Sequence, residues 1–235
     1  MIELDDYFSG DSGALTAAKA TEDKPYKQGY NQGQKFQKRP FYEKKEIDLE
    51  TFKLYKPYAI AGNANPPETI LTQTKEIIDL LVDNGFTGRV TTGNDMDAFI
   101  EKELNGSFFE LYIPWKDFNN KQSKFYFNDP LSKHVAKMFH RTFDTLKPAV
   151  QAFLARNVRM VLGEKLKSYS LFVLVWSEDG AEQTKDISFK TGNVSHIISV
   201  ARALHIPVFN LQHSNTKERL IKYLRLKEPQ EKGTI

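Results

Sequence analysis

Cysteine is absent from the chain. Its absence excludes disulfides, cysteine-ligated zinc and thiol catalysis, and fits a reducing compartment. No apolar run approaches the roughly 20 residues a membrane-spanning helix needs. The acidic start Met1-Ile2-Glu3-Leu4-Asp5-Asp6 lacks the apolar stretch of a signal peptide. The expectation is a soluble cytoplasmic protein with no membrane association. Histidine is scarce, and His134, His140, His196, His205 and His213 show no metal-ligand spacing with carboxylates, so no metal is expected. Also missing are a Walker loop, a nucleophile elbow, an EF-hand loop and a pair of catalytic carboxylates. Their absence argues against the common phosphoryl-transfer and hydrolytic enzymes. A large charge imbalance is missing too: the formal net charge is +3 and the pI near 8.8, well short of a dedicated duplex-binding protein.

What is present suffices for one core: 235 residues, 40% of them hydrophobic. The first 55 or so residues differ in kind from the rest. From Ser9 to Lys45 there is no helix or strand period, and too little apolar surface to offset the entropy of ordering. Residues 1–55 therefore read as a disordered or extended basic-aromatic tail, and residues 56–235 as the folded domain. Lys27, Lys35, Lys38 and Arg39 alternate there with Tyr30, Phe36 and Tyr42. Cations with rings between them suit single-stranded nucleic acid, where charges follow phosphates and rings stack on bases. The same composition suits a solvated linker whose aromatics pack on its own domain or on a partner protein.

From Tyr55 onward strand-like and helix-like stretches alternate. Tyr58 to Gly62 is a short apolar run, and Glu68 to Asp83 carries a 3.6-residue apolar period with Gly85 placed as its stop. Phe86 to Thr92 reads as a strand, Met96 to Leu104 as a helix, and Ser107 to Ile113 as a strand. Pro130 to Phe143 and Pro148 to Leu166 read as helices with one buried stripe each. Ser170 to Trp176 is continuously apolar, as a strand buried on both faces would be. Helix Val194 to Leu204, strand Ile206 to Leu211 and a basic amphipathic helix from Asn215 to Leu226 complete the chain. This order predicts an α/β fold, a Rossmann-like parallel sheet flanked by helices, with ligands at the carboxyl ends of the strands.

Two junctions stand out. At Val90-Thr91-Thr92-Gly93-Asn94-Asp95-Met96-Asp97 a strand-like run stops at glycine and an acid-led helix begins. The second is Lys190-Thr191-Gly192-Asn193-Val194-Ser195-His196. Backbone N–H groups and a helix N-terminus facing outward together suit a phosphate. With Tyr112-Ile113-Pro114-Trp115-Lys116-Asp117-Phe118-Asn119, Asn157 to Gly163, Val173 to Trp176 and Ile206 to Leu211, these stretches form a colinear series. The series resembles Rossmann-like proteins of the SLOG superfamily, which includes the DNA-processing protein DprA and the lysine-decarboxylase-like LOG proteins, and within it phage-encoded members most of all. The resemblance covers roughly Pro57 to Leu211. It implies a nucleotide or nucleotide-derived ligand held by Gly62, Asn63, Thr92, Gly93, Asn94, Asp97, Lys116, Thr191, Gly192 and Asn193, and for a phage protein a host-cytoplasmic location.

The departures are equally specific. Phage members have Gly-Gly followed by Gly-Ala-Asp in the first junction, of which Gly93 and Asp97 remain; the second, usually Gly-Gly-Thr, is Thr191-Gly192-Asn193 here. Neither junction has the Pro-Gly-Gly-x-Gly-Thr-x-x-Glu motif of LOG hydrolases, so no such activity is expected. Asp95 and Asp97 suit capping of the helix and favourable interaction with its dipole; the alternative for Asp97 is acceptance of hydrogen bonds from a ribose or base. Lys116 is either a phosphate partner or a loop lysine, Trp115 stacks on a base or packs its loop, and His196 is a ligand contact or structural. The sequence thus leaves a non-enzymatic nucleotide-binding module beside a single-stranded nucleic-acid-binding protein using its tail, with a phage or host protein partner and self-association as further expectations.

Overall fold

The computed structural model describes residues 55–226. The proposed tail, with Lys27, Tyr30, Lys35, Phe36, Lys38, Arg39 and Tyr42, lies outside the described residues.

The described chain builds one six-stranded sheet in which every pairing is parallel, with helices on both faces. The strands are β1 (Pro57–Gly62), β2 (Thr87–Val90), β3 (Phe109–Ile113), β4 (Phe125–Tyr126), β5 (Val173–Trp176) and β6 (Val208–Asn210), in spatial order β4-β3-β2-β1-β5-β6. The helices are α1 (Glu68–Asp83), α2 (Asp95–Glu103), α3 (Pro130–Met138), α4 (Pro148–Leu162), α5 (Ser195–Ala203) and α6 (Thr216–Leu224). The chain moves outward from β1 to β4, then crosses back to place β5 on the other side of β1. That reversal makes β1 the strand beside the switch in direction, and parallel sheets take their ligands at the carboxyl ends of the strands there.

Local chemistry sets the elements. Helix α1 buries Ile70, Thr74, Ile77, Ile78 and Leu81 along one stripe. It stops in a Schellman turn: Gly85 takes φ +73, its N–H donates to Val82 O (3.0 Å), and the Phe86 N–H donates to Leu81 O (2.9 Å). Strand β5 is buried along its whole length, as its continuous apolar run predicts. On one face Tyr58, Ile60, Phe172, Leu174 and Trp176 join the apolar stripes of α1, α2 and α6 in one core. Alternation turns Ala59 and Ala61 to the opposite face, where α4 packs across β1, β2 and β3 and α5 packs beside α4.

Several elements end earlier than their sequence suggests. Helix α3 stops at Met138 instead of Phe143, because Phe139 leaves helical geometry and Phe143 enters the core only after a turn. Gly163, at φ +81, ends α4 four residues before Leu166. Thr91 and Thr92 leave the sheet at the end of β2. The two-residue β4 was not expected; it is too short to show a period. The second junction follows no strand directly: a 3₁₀ turn from Phe189 to Val194, kinked at Gly192, feeds α5. Among the described residues no helix is long and apolar enough to cross a membrane.

The polar excursion between β5 and α5 is held by side chains. Asn210 of β6 donates to Ser177 Oγ (2.8 Å) and Ala181 O (3.0 Å). Asp179 accepts from Ser177, Ser188 and Thr191. Burial works against the Asp179 carboxylate, yet these hydrogen bonds and one from the Ala181 N–H hold its pKa down at about 2.

Candidate nucleotide-binding crevice

A cavity of about 470 Å³ opens at the carboxyl ends of β1 and β2, bounded by the first junction, α4 and the start of α5. Gly62 forms its floor where β1 ends. A Cβ there would stand 2.4 Å from Met96 Cγ, so the close packing of α2 over the strand end requires glycine. Replacing Gly62 by alanine is expected to destabilise the fold by about 1–3 kcal/mol through overpacking; equilibrium urea unfolding measures the loss.

The first junction is tied down by Asn94. Its side-chain oxygen accepts from the Asp97 N–H (2.9 Å), capping α2, and its Nδ2 donates to Gly62 O (2.9 Å). The cap is thus the work of Asn94, and the Asp97 carboxylate is left for the cavity. Asp97 is 3% exposed, and its Oδ1 has no hydrogen-bond partner among the described residues. Burial pushes its pKa up to about 6, against the pull of Arg156, Thr91 and Gly62.

Across the cavity stands Arg156 of α4, 8% exposed. It donates to Thr92 O (3.1 Å) and Asn157 Oδ1 (3.0 Å), and lies against the Phe153 ring at 5.2 Å. Burial lowers its pKa to about 10 and Asp97 raises it, so it is a cation at neutral pH. Among the described residues it makes no ion pair, whereas Arg159, one turn on, pairs with Asp129 at 3.2 Å.

His196 and His140 complete the polar wall, with ring centroids 6.4 Å apart. His196 Nε2 lies 3.1 Å from Ala136 O. Burial lowers the His196 pKa to about 4, with the neighbouring His140 adding to the effect. The neutral ring therefore donates from Nε2 and keeps Nδ1 as an acceptor. Four buried side-chain polar atoms lack partners among the described residues: Tyr58 Oη, Asp97 Oδ1, His140 Nδ1 and His196 Nδ1. All but the tyrosine belong to residues lining this cavity, although most buried polar groups in folded proteins are paired.

The sequence-predicted residues divide clearly. Gly62, Thr92, Gly93, Asn94, Asp97, Gly192 and Asn193 line the cavity. Asn63 does not; its side chain ties the two junctions together, donating to Thr191 O (3.1 Å) and accepting from the Asn193 N–H (3.1 Å). Gly192 sits so close that a Cβ would meet Asn63 Oδ1 at 2.8 Å, and its φ is +57. Thr191 is turned away, its hydroxyl donating to Asp179 Oδ2 (2.6 Å) and accepting from the Ser188 N–H (2.8 Å). Lys116 is exposed and outside the cavity lining. Trp115 packs its loop edge-on against Phe118 (4.9 Å between centroids), and Phe118 lines the cavity in its place.

Arg156, His140, Phe118 and Phe153 are among the lining residues that sequence reading misses as site groups. For Arg156 a signal was available. Helix α4, PAVQAFLARNVRMVL, carries two arginines and no acid, so each needs a partner from elsewhere in the fold; Arg159 has one. Among the described residues no group of three or more His, Asp or Glu is placed to hold a metal. No protein-family model, curated protein or solved structure matches the chain.

Proposed function

We propose that this chain is a SLOG-like Rossmann module that binds a nucleotide or nucleotide-derived ligand, without catalysis, in the crevice beside β1. The observation that carries the reading is the concentration there of polar atoms without partners among the described residues, Asp97 Oδ1, His140 Nδ1 and His196 Nδ1, facing a cavity that also holds Arg156, which makes no ion pair among those residues. Two acceptors, Asp97 Oδ1 and His196 Nδ1, with the ring of His140 and a cation in a buried setting, match a ligand with hydroxyl or amino donors and an anionic group. Asp97 suits a ribose or base donor, and Arg156 suits a phosphate. Phe118 and Phe153, 5.4 Å apart between centroids and edge-on, offer apolar surface for a base. The volume, about 470 Å³, falls within the range of roughly 300–1,000 Å³ usual for small-molecule sites.

The test is thermal unfolding with a panel of nucleoside mono-, di- and triphosphates. A ligand that binds only the folded state adds about 2.7 kcal/mol at 100 times its Kd. At least one nucleotide is expected to raise the melting temperature of the wild type and not that of an Arg156→Met variant. A panel with no rise, or an equal rise in both proteins, counts against the reading.

A further inference from the structure

A second depression of about 750 Å³ shares His140 with the Asp97 cavity and is otherwise built from different residues. Three separate stretches of chain meet there: the end of α3 with the following turn, the turn at Gln183 to Lys185, and α5 at Ser199 and Arg202 with His205 just beyond its end. Its charged lining is all of one sign. Lys137, Arg141, Lys185 and Arg202 face it, and no carboxylate does. Lys137 is neutralised by Asp144 at 2.6 Å. Arg141, Lys185 and Arg202 make no ion pair among the described residues.

A solvated helix face is the ordinary origin of surface cations, and a helix C-terminus attracts them. That accounts in part for Lys137 and Arg202, which lie in the last turns of α3 and α5. It does not account for Arg141, beyond the end of α3, or for Lys185, on an unrelated turn. Convergence of unpaired like charges from three segments raises the local potential, and so favours an anion. Gln183, Thr184 and Ser199 supply neutral donors beside the cations. Two guanidinium groups favour phosphate, whose oxygens they can meet in pairs. Cations spread round a groove of this size suit several linked phosphates better than one.

We infer that this groove is a second binding site, for a ligand carrying several linked phosphates: a free oligophosphate or a nucleic-acid backbone. The inference is independent of the nucleotide reading of the Asp97 cavity. Calorimetric titration of the full chain with inorganic tripolyphosphate tests it. Saturable binding is expected, weakening as salt rises. An Arg141→Gln/Lys185→Gln double variant is expected to bind at least about tenfold more weakly, and Arg202→Gln to follow it. A tail variant, Lys35→Gln/Lys38→Gln/Arg39→Gln, should bind as the wild type does, and hexaglutamate about tenfold or more worse than tripolyphosphate.

A short single-stranded oligonucleotide that displaces tripolyphosphate identifies a nucleic-acid backbone as the source; failure to displace it identifies a free oligophosphate. The groove positions are at most half-buried, so circular dichroism and melting temperature should match the wild type. The groove variants should keep any nucleotide-induced melting shift, which separates failure of this site from failure of the other. No binding, affinity unchanged by the groove substitutions, loss in the tail variant alone, or hexaglutamate binding as well as tripolyphosphate would each overturn the inference.

Discussion

Replacing Asp97 by asparagine is expected to make the unliganded protein more stable at pH 8, by up to about 3 kcal/mol, while removing nucleotide binding. The stabilisation follows from the carboxylate's setting. In the unfolded chain Asp97 ionises near 3.8, and in the fold only near 6. Between those values the folded state holds a proton that the unfolded state has released, so stability falls as pH rises through the window. The shift of about two units corresponds to about 3 kcal/mol at 1.36 kcal/mol per unit. An amide carries no charge to desolvate and keeps an oxygen for Thr91 and Gly62. For a domain of this size the full gain corresponds to roughly 6–12 °C in melting temperature.

His196 works in the opposite sense. Its pKa falls from 6.5 to about 4 on folding, so between those values the unfolded chain binds the extra proton and stability rises with pH. In the wild type the two contributions largely cancel from about pH 4 to 6. In Asp97→Asn the rise due to His196 is exposed, and the stability difference between variant and wild type should grow across this range. Arg156 and Glu101 face Asp97, and His140 faces His196; each remains in both proteins. Thermal unfolding from pH 4 to 8 measures the difference. Equal stabilities at every pH would show that the Asp97 carboxylate is not desolvated, and the site would lose its main feature. A group that destabilises the empty protein is typical of a binding site, where function is bought with stability.

Replacing Arg89 by methionine is expected to lower stability by about 3–5 kcal/mol. Arg89 lies in β2 with its side chain 1% exposed, and its Nε meets Glu110 Oε2 at 3.0 Å. The rest of the guanidinium donates to Ser168 O (2.6 Å), Ser170 Oγ (3.3 Å) and Tyr55 Oη (2.9 Å). Tyr55 and Tyr112 hydroxyls donate to the Glu110 carboxylate. This network binds β2 and β3 to the segment before β5, so three parts of the sheet depend on one cation. Methionine fills much of the volume but leaves Glu110 as a buried charge without its partner, and an uncompensated buried charge is the most damaging kind of core lesion. Adding Glu110→Gln removes that charge while leaving an oxygen for the tyrosines. The double variant should therefore recover about half or more of the loss, and a double-mutant cycle from urea unfolding gives the coupling. Equal losses in single and double variants would assign the effect to the hydrogen bonds of Arg89 to Ser168, Ser170 and Tyr55.

Legibility in the sequence followed the range of the interactions. Helix α1 was readable to the residue because its stripe, its prolines and Gly85 all act within a few positions of one another. The parallel sheet was readable from alternation and from the continuous apolar run of β5. Strand β4 was not, since two residues carry no period. Gly62 and Gly93, which line the cavity, could be singled out because a glycine at a strand end is a local signal, whereas Asp97 was reached only through the SLOG resemblance. Thr191 was assigned to the ligand from its place in the chain, but its hydroxyl is fixed by Asp179 and Ser188, a contact made by the fold of the whole excursion. Arg156 stayed hidden within an apolar stripe; only the missing acid in its helix pointed to it.

Occupation of the crevice beside β1 by a nucleotide, as proposed, can be read residue by residue. The most direct measurement is an amide NMR titration of the ¹⁵N-labelled full chain with the nucleotide that gives the largest melting shift. Saturable shift changes are expected at Gly93, Asn94, Asp97, Gly192 and Asn193 and at the Arg156 guanidinium. Changes confined to residues outside the cavity, with these signals unmoved at saturation, would contradict it.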